Sequence, residues 1–150
     1  MKPPYFRPLN CPAKVPTQPY HQLAKRPSSE IFQLMQEKGI HAMISEFYHA
    51  LHQSSIKEMF QKRPIEESIA RSSAFFIQLM GGEQIYRQRY GEPKLRARHL
   101  PFRITEEARK VWLATFYDVL DHPQTFSFPP HHLKEFKTYL DTFSKWMVNS

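Results

Sequence analysis

Residues 90–102 read YGEPKLRARHLPF, and their one histidine, His99, stands between a Gly-Pro turn and a Leu-Pro-Phe stop. Gly91 and Pro93 favour a turn, Lys94, Arg96, Arg98 and His99 are cationic or imidazole side chains, and no long apolar period runs through the stretch. A lone histidine there can give one bond to a metal. Its meaning depends on what the rest of the chain adds.

At 150 residues the chain is long enough for one domain around a single apolar core. Only four Gly, few Val and Thr, and plentiful Leu, Met, Phe, Glu, Gln and Lys favour helices over a sheet. The expected class is all-α. The formal charge of +7 is concentrated at one end, because Lys2, Arg7, Lys14, Lys25 and Arg26 fall in residues 1–29 with no acid beside them. The remaining 121 residues hold 16 basic and 14 acidic side chains, so they are only mildly basic. Residues 1–29 also carry seven of the 13 prolines and no 3.6-residue apolar period; they are expected to be a disordered extension, with the domain at 30–150. That extension lacks the apolar core of a secretory signal and no later segment approaches a membrane span, so a cytoplasmic protein with no membrane partner is expected. Its Cys11 is the single cysteine, which excludes an internal disulfide and a CxxCH haem attachment.

From Ser29 the pattern turns helical. SEIFQLMQEKG offers a serine cap, apolar Ile31, Leu34 and Met35, and Gly39 as a stop, while Ile40, Met43, Ile44, Phe47 and Leu51 form the stripe of a second helix over 40–52 with Tyr48 at its edge. A brief turn ends in Phe60. Pro64 suits the first position of a helix over 65–80, where Ile65, Ile69, Ser72, Phe76 and Leu79 make a half-polar row and Ser68 lies four before Ser72. Residues 83–104 should be loop with short helical turns. Thr105 caps a helix whose stripe is Ala108, Trp112, Phe116 and Val119, and after Pro129 and Pro130 a last helix carries Leu133, Phe136, Leu140, Phe143 and Met147. No strand is expected.

No HExxH, cysteine pair or Asp cluster supplies a metal site from side chains alone. His41, His49 and His52 avoid their helix's stripe and His131 and His132 open another helix, so these read as solvated residues. One axial histidine suffices, however, where a porphyrin supplies four in-plane ligands. Such a site needs a slot between helices, a neutral imidazole, rim cations and aromatic walls, and the chain offers each. Two other readings stay open. The interleaved Tyr and Arg of YRQRYGEPKLRARH also suit a basic nucleic-acid-binding module or a solvated loop, and Trp112 and Tyr48 taken singly are ordinary core aromatics.

Taken together, Gly81, Gly82, Tyr86, Gly91, Pro93, Leu95, Arg96, Arg98, His99, Pro101, Phe102 and Trp112 fall at spacings that resemble a truncated haemoglobin of the second group. Upstream FYHAL and the closing WMVN extend the resemblance over about residues 31–149. It implies the truncated globin fold, a 2-over-2 helical sandwich around haem b (iron protoporphyrin IX). By position it makes His99 the proximal iron ligand, Tyr48 and Trp112 the distal hydrogen-bond donors, and Ser68 and Ser72 the other residues facing a ligand. Phe60, Phe75, Tyr86 and Phe102 match residues that line the haem, and Arg71 and Arg98, with Arg96, match residues near its propionates. The family usually has a glycine where this chain has Gln36, and larger or more apolar residues where it has Ser68 and Ser72.

The resemblance implies binding of O2, NO or CO and suits O2/NO chemistry or sensing better than bulk transport. A haem-dependent peroxidase or an NO dioxygenase is the alternative, the latter served by a separate reductase. The molecule is expected to be a monomer or weak homodimer, with nucleic acid a less favoured partner.

Overall fold

A computed structural model describes residues 26–99 and 102–150, with Arg96 described by its backbone alone. The expectations for residues 1–25, Cys11 among them, and for Leu100 and Pro101 lie outside the described residues. The elements in order are α1 (Ser29–Leu51), a 3₁₀ turn (Lys57–Phe60), α2 (Ile65–Leu79), α3 (Ile85–Tyr90), α4 (Leu95–His99), α5 (Glu106–Asp121), a second 3₁₀ turn (Pro130–His132) and α6 (Leu133–Met147). Among the described residues there is no strand. Helix α1 packs on α2 and α5 on α6, and α1 also crosses α5, which gives the expected 2-over-2 sandwich.

The four long helices meet at four rings, one from each. Phe47 of α1 stacks on Phe116 of α5 with centroids 4.1 Å apart, while Phe76 of α2 and Phe136 of α6 lie 6.0 and 5.9 Å from Phe116. Phe47, Phe116 and Phe136 are almost fully buried. Each buried phenylalanine contributes about 1.5–3 kcal/mol from apolar area alone, so this junction fixes how the two helix pairs sit on each other.

The expected stripes are buried, but several local readings need correction. The chain does not stop at Gly39: α1 runs through it and bends at Gln36, whose φ of 58° and ψ of 178° are the only non-helical values inside the helix. Packing explains the bend, since Met35 and Ile40 on either side of it are both buried while Gln36 is exposed. Leu34, counted with the apolar Ile31 and Met35, is instead an exposed large hydrophobic at 67%. The serine that caps α1 is Ser28, whose hydroxyl accepts from the Glu30 amide at 3.2 Å, not Ser29. Pro64 stands one position earlier than expected, as the residue before α2, with ψ of 138°. His132 is buried rather than solvated because the helix starts of α1 and α6 close on it: its Nε2 lies 2.6 Å from Glu30 and its Nδ1 3.9 Å from Glu135.

The turn between α2 and α3 explains its glycine pair. A Cβ on Gly82 would stand 2.7 Å from both Ile77 Cγ2 and Phe32 Cε1, so α2 turns tightly against α1 only without one. Gly91, with φ of 86°, ends α3 and turns the chain into α4.

Candidate haem pocket

His99 is the last residue of the five-residue helix α4. Its Nδ1 lies 2.6 Å from the Leu95 carbonyl oxygen, which can only accept, so Nδ1 carries the proton and Nε2 keeps its lone pair. Burial drives the imidazole pKa down, the Leu95 bond opposes this, and the positive charge of Arg63 adds to the lowering. The result is a neutral, oriented imidazole with one nitrogen available to a metal. Phe102 stands beside it with ring centroids 6.4 Å apart.

The other candidate ligand-binding residues are carried by long helices. Tyr48 and Ser72 share a hydrogen bond of 2.7 Å between α1 and α2, in which either oxygen can donate. Burial raises the Tyr48 pKa, offset in part by that bond and by the charge of Arg63, so the phenol stays protonated at neutral pH. Phe60 meets Tyr48 edge to face at 6.0 Å, and Phe47 meets Tyr48 at 5.5 Å and Trp112 at 5.4 Å. One buried ring thus braces both aromatic hydrogen-bond donors. Ser68, half-buried, lies one turn before Ser72 on the same face of α2.

Further aromatic rings line the same helices. Phe75 contacts Tyr86 at 6.1 Å and Phe143 at 6.2 Å, and Phe143 reaches Trp112 at 6.4 Å. The cations read as propionate partners are held by their own surroundings. Arg71 pairs with Glu67 at 3.3 Å and lies 4.4 Å over the Tyr90 ring. Arg98 donates to the Tyr90 carbonyl at 2.6 Å and crosses the Tyr86 ring at 5.7 Å, fastening the Gly91 turn.

Two residues in these contacts are not among the expected site residues: Phe47, which belongs to the apolar stripe of its helix, and Arg63, whose charge acts on both His99 and Tyr48. Arg63 carries no sequence signal beyond its charge; Phe47 was marked by standing next to Tyr48.

A donor set of one neutral imidazole, aromatic walls and two protonated distal donors fits a haem. No cluster of three or more His, Cys, Asp or Glu able to hold a bare metal ion occurs among the described residues; a haem brings four in-plane donors of its own and takes one imidazole.

The chain matches the family described as Bacterial-like globin over residues 32–149. It belongs to that family. Similar proteins include the group 2 truncated hemoglobin YjbI of Bacillus subtilis (strain 168), 30% identical over 91 residues that make 61% of this chain and 69% of that protein. The two-on-two hemoglobin-3 of Arabidopsis thaliana is 38% identical over 65 residues, 43% of this chain and only 37% of its own length. Among solved structures, phosphate-bound Hell's gate globin IV superposes with a TM-score of 0.77 at 30% identity, covering 85% of this chain and 79% of that one. The truncated oxygen-avid haemoglobin of Bacillus subtilis superposes at 0.69 with 28% identity, covering 79% of this chain and 98% of that one. This truncated haemoglobin is therefore a group II member, as the resemblance implied, and membership carries haem-based binding of diatomic ligands. None of its described helices is long and apolar enough to cross a membrane.

Proposed function

We propose that this truncated haemoglobin holds haem b through His99 and binds O2, with NO and CO as further ligands, in a pocket governed by Tyr48 and Trp112. The observation that carries the reading is the half-buried His99 imidazole, whose Nδ1–H donates to the Leu95 carbonyl so that Nε2 is presented as a metal donor. The haem, when bound, supplies the iron coordination position at which a diatomic ligand sits. Phe60, Phe75, Tyr86 and Phe102 exclude water from the macrocycle. Arg71 and Arg98 stand nearest the role of propionate partners, each able to exchange a present contact for one.

On the distal side the chain supplies hydrogen-bond donors in a dry pocket, where each counts for more than in water. Ser72 sets what Tyr48 can offer: when the serine hydroxyl donates to the phenol oxygen, the phenol proton is left for the ligand. The Trp112 indole N–H can only donate. If each of the two donors contributes about 1–1.5 kcal/mol, together they slow ligand release by roughly 30- to 150-fold relative to an apolar pocket. Slow release suits O2/NO chemistry or sensing in the cytoplasm, with residues 30–150 as the working unit and a monomer or weak homodimer as the assembly. A peroxidase or NO dioxygenase would use the same pocket with turnover, and the dioxygenase a separate reductase.

A basic nucleic-acid surface is less supported, because Arg87 pairs with Glu92 at 2.7 Å and Arg98 is turned onto main-chain carbonyls. Absorption spectra of the purified protein in ferric, ferrous and CO-bound forms test the reading. A Soret band that sharpens with CO, and its loss in His99→Ala, are expected. Protein that stays colourless after haem addition, or a His99→Ala variant that retains haem like the parent, rejects it.

A further inference from the structure

The end of α6 reaches back to the segment that holds His99, and one side chain makes the connection. Asn149, only 2% exposed, gives both faces of its carboxamide to that segment. Its Oδ1 accepts from the Ile104 amide at 2.9 Å; its Nδ2 donates to the Phe102 carbonyl at 2.9 Å and to the His99 carbonyl at 3.3 Å. Its own amide donates to the Ile104 carbonyl at 3.0 Å, so residue 149 meets residue 104 in both directions.

The His99 carbonyl is the last of α4, a place where a helix leaves oxygens without internal partners. Five residues are also too few for a helix to stand by cooperativity alone. The backbone of His99 is therefore fixed from outside: by the Phe102 amide, which donates to the His99 carbonyl at 2.9 Å, and by Asn149, two residues beyond the end of α6, the helix on which α4 packs. The ring is fixed separately, through Leu95. Together these two attachments set the direction in which Nε2 points.

We infer that Asn149 is a positioning residue for the proximal histidine, clamping the carboxyl end of α4 to the end of α6 so that the imidazole is aimed rather than merely present. This rests on His99 as the iron ligand. A carboxamide is the fitting side chain, since it supplies a donor and an acceptor about 2.2 Å apart with no charge, matching an amide on one side and two carbonyls on the other. Aspartate has the same shape, keeps the acceptor for Ile104, and sets a carboxylate against two carbonyl oxygens.

The test uses full-length haem-loaded protein, read by the iron–histidine stretching band of the ferrous state and by the rate of haem transfer to an excess scavenging apoprotein. In Asn149→Asp and Asn149→Ala the band is expected to shift or broaden and haem transfer to quicken about tenfold, the effect of losing one to two neutral hydrogen bonds. Leu140→Ala, a buried change within α6, lowers stability and is expected to leave the band in place. Asn149→Asp, near-isosteric, reads the clamp if the alanine variant does not fold. In the unsubstituted protein the Ile104 amide is expected to exchange with solvent slowly. Variant bands that coincide with the parent band overturn the positioning role, as does an Ile104 amide that exchanges at the rate of an open loop. A parent protein that takes up no haem overturns the proposed function instead, and an iron–histidine band absent from haem-loaded parent removes His99 as ligand.

Discussion

The two sides of the pocket are built by different means. Tyr48, Ser72 and Trp112 ride on helices of 23, 15 and 16 residues whose buried stripes meet at Phe47, Phe76 and Phe116. His99 ends a helix of five residues and is placed by polar attachments: Leu95 to its ring, Asn149 to its carbonyl, and Arg98 across the preceding turn. Tyr48 and Trp112, proposed as distal donors, inherit their positions from the hydrophobic core. His99, proposed as the proximal ligand, depends on a few hydrogen bonds, of which the one from Asn149 can be removed by substitution away from that core.

If the contrast holds, stability and haem geometry should respond to different substitutions. Phe116→Ala removes the ring at which the helix pairs meet and should lower unfolding free energy by about 3–5 kcal/mol, measured by denaturant titration of the apoprotein. That exceeds the loss expected from Asn149→Ala, where neutral hydrogen bonds of about 1 kcal/mol each are at stake. An Asn149→Ala apoprotein as unstable as Phe116→Ala would erase the distinction, since both sides would then belong to one packed unit.

The same contrast governs what was legible in the sequence. The four long helices were readable because burying one face repeats every three or four residues, and Met43, Ile44, Phe47, Phe116, Phe136 and Leu140 fell where the period put them. No periodicity can announce Asn149, because its partners lie up to 50 residues away and are main-chain groups common to every residue. His99 is a candidate ligand by resemblance, and its bond to Leu95 cannot be read from the sequence because it depends on the short helix that brings the two together. The Gln36 bend was misread at Gly39 because glycine is the commoner breaker, whereas here tertiary packing on both sides forces a glutamine into the unusual conformation.

On the distal side, a smaller change isolates chemistry from packing. Trp112→Phe keeps an aromatic ring near Phe47 and Phe116, which stand 5.4 and 5.7 Å from the indole, and removes the N–H donor with a small part of the ring. Haem should be retained and O2 release should quicken roughly five- to tenfold in stopped-flow displacement, the equivalent of one hydrogen bond of about 1–1.4 kcal/mol. An unchanged rate would take Trp112 out of the ligand-binding role and leave Tyr48 with Ser72 as the distal control. A variant that instead loses haem would show that the indole acts as packing, making the two sides of the pocket more alike than their architecture suggests.

The smallest effect tests how firmly the distal helices hold their shape. Gln36, at φ of 58° and ψ of 178°, occupies a region that side chains other than glycine enter at a cost of about 1–3 kcal/mol. Its carboxamide offsets part of this by donating to the Gln33 carbonyl at 2.7 Å, an exposed bond of about 0.5–1 kcal/mol. Gln36→Gly relieves the strain, forfeits that bond, and adds about 0.5–1 kcal/mol of unfolded-state freedom. At the middle of these ranges strain outweighs the other two, leaving a net gain of about 0.5 kcal/mol, seen as a rise of about 1–2 °C in Tm. Gln36→Ala keeps the strain and loses the bond, so its Tm should fall. Opposite signs for these two variants would show that packing by Met35 and Ile40 imposes the bend and that the glutamine merely tolerates it; a loss in both would make the side chain itself the cause of the bend.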